Sequence, residues 1–288
     1  MRISFIVNYI EWGFSPWDKR IGGSEEFVVE VSKRLADRGH NVTVYHNGRH
    51  GLYEGVSYKD YEQFDYGGVL VNVNYPEFGG DIFWTSLDKN PKLDQFKVVC
   101  GISQYQIDNC GIEHKDVRIL PPGYNQDDIY PSDKVKKQCL YASSPDRGLD
   151  TLLRAWTSVH AAHPDATLIV TYGAQEYDIP NVEFVDATSD EMNYLYRTSD
   201  IWCHPANGGE LYCISGIKAQ AAGCWPVVIP TMALSETVRY GTMANKDNYA
   251  DKLIEALTEH PEPLQGKYPT WDDATDQLEQ IIKEVVNL

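Results

Sequence analysis

The sequence predicts an α/β protein built from two successive parallel sheets, and three observations carry that reading. Short β-branched runs alternate with amphipathic segments from end to end, the signature of parallel strands joined by helical crossovers. The rhythm pauses at PPGYNQDDIYPSD (residues 121–133), a turn-rich stretch with three prolines, and then restarts as a second domain would. The chain has 288 residues, 42% of them hydrophobic, enough for two buried cores.

The elements follow in order. ISFIV (residues 3–7) reads as a buried strand. Ser24 is placed to cap a helix whose Val28, Val31 and Leu35 recur at helical spacing, and Gly39 supplies its stop. NVTVYH (41–46) is the next strand, then GVLVNV (68–73), DIFW (81–84), KVVCGI (97–102) and VRIL (117–120). The segment between His46 and Gly67 is polar, aromatic and weakly patterned. In the second half, QCLYAS (138–143) is a strand, and Leu149, Leu152, Leu153, Trp156 and Val159 mark one helix face. ATLIVTYG (166–173), VEFV (182–185), DIWCHP (200–205) and WPVVI (225–229) continue the sheet. Near the end, Leu278, Ile281, Ile282, Val285 and Val286 form a helical stripe that is expected to pack back across the first domain. The expected divisions are 1–124, 125–271 and a terminal helix over 272–288.

Composition excludes several functions. With 25 Lys and Arg against 42 Asp and Glu, the formal charge is −17. Nucleic-acid binding needs a basic footprint and anionic lipid needs clustered cations; the sequence offers neither, so no nucleic-acid or membrane partner is expected. The charge-free stretch 219–235 is broken by Gly223, Pro226 and Pro230 and cannot be one spanning helix. The N-terminus reads as a first strand and not as a signal peptide. Six cysteines without a CxxC pair fit a reducing cytoplasm.

In open α/β sheets ligands bind beyond the carboxyl ends of the strands, which directs attention to three strand-to-helix loops. The first, residues 8–23, ends in Gly22-Gly23-Ser24, where a ligand could reach the backbone at a helix N-terminus; an ordinary tight turn explains the same residues. Its Tyr9, Trp12, Phe14 and Trp17 are read either as local packing or as a platform for sugar rings. The second, ASSPDRGL (142–149), sets Arg147 at a helix start, where the dipole disfavours a cation. A phosphate would offset that, each charge-assisted bond contributing about 1.5–3 kcal/mol, as would an ion pair with Asp146 or Asp150. The third, HPANGGELYC (204–213), precedes a helix of small residues ending near Gly223 and puts Glu210 at its mouth. Glu210 is a favourable N-terminal carboxylate in any case. His160 and His163 lack a third ligand for zinc, and no Asp-x-Asp, GxxxxGK[ST], GxGxxG or GxSxG motif occurs.

These loops together resemble the retaining glycosyltransferases of family 4. The matching stretches are IGGSEEFVVEVSKRLADRGHNVTVY (21–45), YASSPDRGLDTLLRAW (141–156) and SDIWCHPANGGELYCISGIKAQAAGCWPVV (199–228). The resemblance implies a GT-B fold, in which two Rossmann-like domains with parallel sheets face a central cleft. It implies a hexosyltransferase that takes a nucleotide-diphosphate sugar, UDP-sugar first and GDP-sugar second, and transfers the sugar with retention to a glycan or other hydroxyl acceptor. It implies neither metal nor cofactor. Arg147 matches the basic residue on the diphosphate, and Glu210 the first Glu of the E-x7-E motif that contacts donor-sugar hydroxyls; these two are the candidate catalytic residues. The backbone of Leu211, Tyr212 and Cys213 falls where the family cradles phosphate, Ser143 and Ser144 lie beside Arg147, and Gly22 and Gly23 match the glycine pair near donor and acceptor. Trp12 and Trp17 are candidates for the acceptor side. The second motif Glu falls on Lys218, which lacks acceptor oxygens for ribose hydroxyls and is expected to add charge against the diphosphate. The family's Arg before its Lys falls within 142–144, and the first-domain His has no counterpart near Trp84. The rival reading is a degenerate GT-B module that binds nucleotide or glycan without catalysis.

Overall fold

Strand β1 (Arg2–Val7) buries Ile3, Phe5, Ile6 and Val7, the pattern of a strand covered on both faces. In the computed structural model, which describes residues 1–7, 14–18, 21–171 and 179–287, it lies in the first of two units, Met1–Gly123 with Pro269–Leu288. The rest of that unit's sheet comprises β2 (Asn41–Tyr45), β3 (Gly51–Tyr53), β4 (Val56–Lys59), β5 (Val69–Val73), β6 (Ile82–Thr85), β7 (Val98–Gly101) and β8 (Val117–Ile119), with helices α1 (Gly23–Asp37) and α2 (Gln104–Asn109). The order is β3-β4-β2-β1-β5-β6-β7-β8. Neighbours run parallel except β3 and β4.

Two local expectations are corrected here. The weakly patterned segment after His46 contains the β3–β4 hairpin, whose turn residues Glu54 and Gly55 both have positive φ (43° and 77°), as a tight hairpin turn requires. Its alternation spans too few residues to stand out in sequence. Ser24 does not cap α1. Gly22 holds the cap position with extended backbone (φ −74°, ψ 172°), and the Ser24 hydroxyl lies 3.1 Å from that of Ser86.

The second unit, Tyr124–Tyr268, comprises β9 (Val135–Tyr141), α3 (Leu149–Ala162), β10 (Thr167–Val170), β11 (Val182–Phe184), α4 (Ser189–Thr198), β12 (Ser199–His204), α5 (Ile214–Ala221), β13 (Trp225–Val228), α6 (Leu234–Thr237), β14 (Thr242–Met243) and α7 (Tyr249–Thr258). Its strands are all parallel in the order β11-β10-β9-β12-β13-β14. The chain winds outward from β9 in one direction and returns through β12 to wind in the other. The sheet therefore reverses between β9 and β12, and the loops leaving those two strands diverge from a shared crevice. The two-residue β14 carries too little pattern to be read from sequence.

Helix α8 (Trp271–Val286) returns to the first unit and packs on α1. A capping box starts it: the Thr270 hydroxyl accepts from the Asp273 amide at 3.1 Å, and the Asp273 carboxylate accepts from the Thr270 amide at 3.0 Å. Phe27 of α1 stacks on Trp84 of β6 with ring centroids 4.0 Å apart, and Trp271 meets Phe27 at 6.4 Å. All three rings are buried, so one aromatic cluster joins sheet, α1 and α8. Around it, Arg38 pairs with Asp276 at 2.7 Å and with Glu279 at 3.0 Å; such partly exposed pairs stabilise little. Leu278, Ile281, Ile282 and Val285 are buried. Val286, expected on the same stripe, is 56% exposed, because it falls at the helix end beyond the α1 contact.

That packing sets an expected contrast. Ile282→Ala lowers stability by about 2–5 kcal/mol, whereas Val286→Ala changes it by less than about 0.5 kcal/mol. Urea midpoints of the two variants measure the difference.

Candidate functional site

At the carboxyl end of β12, His204 is fully buried and its carbonyl accepts from the amides of Ala206 (2.8 Å) and Ile229 (3.2 Å). The ring stacks on Trp202 with centroids 4.9 Å apart, which fixes its plane. Its Nε2 lies 3.1 Å from Oε1 of Glu210. Glu210 is 7% exposed. Burial alone would raise its carboxyl pKa, but the His204 hydrogen bond and the nearby Arg147 charge outweigh burial and bring it below the usual carboxylate range. An ionised carboxylate only accepts, so Nε2 carries the proton. Nδ1 is buried and has no hydrogen-bond partner in the protein. The sequence reading missed His204, although a His just before Pro at the end of a predicted strand, six residues before Glu210, was a signal for it.

Arg147 reaches the same place from the β9 loop. It lies in a single 3-10 turn, Pro145–Arg147, one residue before Gly148, the cap of α3, and so precedes the helix start where it was expected. Its Nη1 donates to the carbonyl of Gly208 at 3.2 Å. Of the two ion pairs considered as alternatives to a phosphate, that with Asp146 is a long 3.8 Å contact to an exposed carboxylate, and Asp150 pairs instead with Arg154 at 2.8 Å. Glycines permit this closeness. A Cβ on Gly209 (φ +77°) would sit 1.5 Å from Nη1 of Arg147, and one on Gly148 (φ +106°) would sit 2.0 Å from the Pro205 carbonyl oxygen. The two loops therefore touch backbone to backbone, and the Gly208-Gly209 pair carries the cation close to Glu210.

Further contacts tie the crevice together. The Ser215 hydroxyl in the first turn of α5 donates to the Ala142 carbonyl at 2.7 Å, linking the two loops across the sheet reversal. The Tyr141 hydroxyl donates to the Ser144 carbonyl at 2.7 Å, while Ser143 and Ser144 are half-buried in the β9 loop. The Gly209 amide donates to the Met232 sulfur at 2.9 Å, and the Ala233 amide to the Glu210 carbonyl at 3.0 Å. Leu211 and Tyr212 are buried in the loop before α5, and Lys218 is half-buried in that helix. Cys213 caps α5 with a left-handed backbone (φ 70°, ψ 78°), a conformation that costs a non-glycine residue about 1–3 kcal/mol. Its Sγ lies 3.9 Å from Nε2 of His204. Among the described residues, His204, Glu210 and Cys213 form the one group of three potential metal ligands, with ligand atoms within 4.8 Å of one another.

The structure thus gathers Arg147, Glu210, Ser143, Ser144, Leu211, Tyr212, Cys213 and Lys218 on the β9 and β12 loops and the helix that follows. Gly22 and Gly23 belong to the first unit and are exposed at the start of α1. Trp17, in the same unit, packs edge-on to Tyr53 and Tyr58 with the Arg49 guanidinium 4.7 Å above its ring. Trp12 lies outside the described residues. No described helix is long and apolar enough to cross a membrane.

Residues 136–260 match the sequence family described as glycosyl transferases group 1, a span that includes both loops of the crevice. No curated protein matches the sequence. Among solved structures, a glycosyltransferase from Rickettsia africae ESF-5 superposes with a TM-score of 0.70 at 13% identity, covering 99% of this chain and 98% of that one. The α,α-trehalose 6-phosphate synthase of Burkholderia multivorans gives 0.66 at 9% identity, covering 99% of each chain. Anabaena Alr3699/HepE, solved with UDP and glucose, gives 0.61 at 11% identity, covering 98% of this chain and 99% of that one. At these identities the likeness is one of fold: two parallel-sheet domains of the GT-B class. Together with the family match it supports a glycosyltransferase.

Removing the imidazole strands a buried charge, so His204→Phe is expected to destabilise the protein by about 3–5 kcal/mol at pH 7. A carboxylate held below its unfolded pKa contributes stability that is present above that pKa and lost as pH falls. The gap from wild type therefore narrows on acidification through the carboxylate range, as urea titrations at pH 7 and pH 4 would measure.

Proposed function

We propose that this chain is a retaining hexosyltransferase that takes the sugar from a nucleotide-diphosphate sugar, UDP-sugar first, and transfers it to a glycan or other hydroxyl acceptor without a metal ion. The observation that carries the reading is the meeting of Arg147 and Glu210 at the reversal point of the second sheet, where one supplies positive charge and the other an ionised acceptor. In this reading the guanidinium binds the diphosphate, with backbone groups of 211–213 and the serines of the β9 loop beside it. Glu210 accepts hydrogen bonds from donor-sugar hydroxyls, and His204 positions it. The bond from the anomeric carbon to the β-phosphate oxygen breaks, and the acceptor oxygen bonds to that carbon from the same face. The acceptor proton passes to the departing phosphate, which carries the base function itself. UDP and glucose, with which Alr3699/HepE was solved, favour the UDP-sugar assignment.

Lys218 is given the role of adding positive charge where the E-x7-E pattern has its second Glu. Gly22 and Gly23 are assigned to the donor and acceptor side, with Trp12 and Trp17 on the acceptor side.

Calorimetric titration of UDP, GDP and ADP and their hexose conjugates in EDTA tests the reading. One nucleotide is expected to bind selectively. Arg147→Ala is expected to weaken it by about 10–150-fold, the equivalent of a charge-assisted bond of about 1.5–3 kcal/mol. Lys218→Glu is expected to weaken it too, and tighter binding would refute the role given to that lysine. If no nucleotide binds, the non-catalytic module becomes the better account of this chain.

A further inference from the structure

We propose that His204, Glu210 and Cys213 form a binding site for a thiophilic divalent cation, zinc above all, and that the cation competes there with the sugar donor; the competition rests on the donor reading above. The three side chains offer an imidazole nitrogen, a carboxylate oxygen and a sulfur, the ligand set that zinc selects and magnesium does not. Zinc bonds of roughly 2.0–2.1 Å to nitrogen and about 2.3 Å to sulfur put neighbouring ligand atoms of a tetrahedral site roughly 3.3–3.6 Å apart. The observed separations from Nε2, 3.1 Å to Glu210 Oε1 and 3.9 Å to Cys213 Sγ, bracket that spacing. Those two separations need an adjustment of only a few tenths of an ångström, and the carboxylate oxygen and the sulfur lie within 4.8 Å of each other and close further onto the ion as it binds.

The ligands are also held in place. His204 ends a central strand and is clamped between Trp202 and the Glu210 contact. Cys213 is fixed by its position as the cap of α5, in a backbone conformation that a glycine would adopt without strain. That strained backbone directs a thiol at the carboxylate expected to read the donor sugar. On binding, the thiol gives up its proton to solvent, the Nε2 proton relocates to Nδ1, and the cation takes the Nε2 lone pair. Thiolate and carboxylate together cancel the 2+ charge, so neighbouring Arg147 meets no excess of positive charge. Three protein ligands leave a fourth position open, as in exchangeable sites. His204 Nδ1, buried without a partner, gives the imidazole no outer support, which holds affinity about 10–100-fold below that of a fully supported site.

Glu210 engaged by a cation no longer accepts from sugar hydroxyls, and the donor is excluded. The result is a transferase that needs no metal and is inhibited by one.

Cobalt(II) titration of the full chain tests the site. One equivalent is expected to produce a thiolate-to-cobalt absorption band that zinc abolishes and that Cys213→Gly lacks. Because glycine relieves the left-handed strain, this variant is expected to fold, with circular dichroism as the check. Absence of the band in the wild type, or its persistence in Cys213→Gly, overturns the site. UDP-glucose calorimetry with one equivalent of zinc tests the competition: at least about tenfold weaker binding than in EDTA supports it, and unchanged binding overturns it. Failure of every nucleotide to bind in EDTA overturns the donor reading and the competition with it, while the cobalt result still decides the site.

Discussion

The contact between His204 and Glu210 is the constraint around which the second unit is arranged. A carboxylate buried this deeply is tolerated only where its charge is answered, and here it is answered twice, by an imidazole hydrogen bond and by a guanidinium. Each answer comes from the end of a different central strand. The fold brings them together because the order of winding reverses between β9 and β12, so that neither loop has a crossover helix in its way. Parallel strands, helical crossovers and a single reversal thus produce a polar crevice at the carboxyl ends of β9 and β12, while the one shift in their register lies at the start of β12, between Ser199 and Ile201.

The strongly acidic surface of the chain gives this local arrangement its weight. Charges beyond roughly 8 Å are largely screened at physiological salt, so an overall charge of −17 does not decide what the crevice binds. Arg147 acts at hydrogen-bond range, where screening is weak. Its placement depends on glycines at 148 and 209, the first letting two backbones meet and the second leaving room for the guanidinium. Where a side chain does stand in such a conformation, at Cys213, it faces the same carboxylate.

Much of this was legible in the sequence, and for identifiable reasons. Buried parallel strands read as nearly continuous apolar runs, so β1, β5, β10 and β12 announce themselves, and the proline-rich stretch near residue 125 interrupts the rhythm between the two sheets. Arg147 and Glu210 were visible because a cation at a helix start calls for an explanation and a carboxylate at the mouth of a helix falls on the first Glu of a family motif. Other features depend on tertiary contacts that no local pattern encodes. The role of His204 follows from what lies six residues downstream once the loop folds back. The Asp146 pairing, plausible by proximity, is long because the loop turns Arg147 toward the Gly208 carbonyl. The capping role expected of Ser24 passes to Gly22, whose extended backbone begins the helix two residues earlier.

Helix α8 brings the end of the chain back to the unit in which it began. In sequence terms the second unit is an insertion into the first, entered after Gly123 and left before Pro269. During synthesis from the N-terminus, residues 124–268 are complete before the first unit has its last helix. The nascent first unit therefore lacks the helix that meets Phe27 until residues 271–286, which follow the whole of the second unit, have been made. The order in which the two cores mature is the reverse of the order in which they begin.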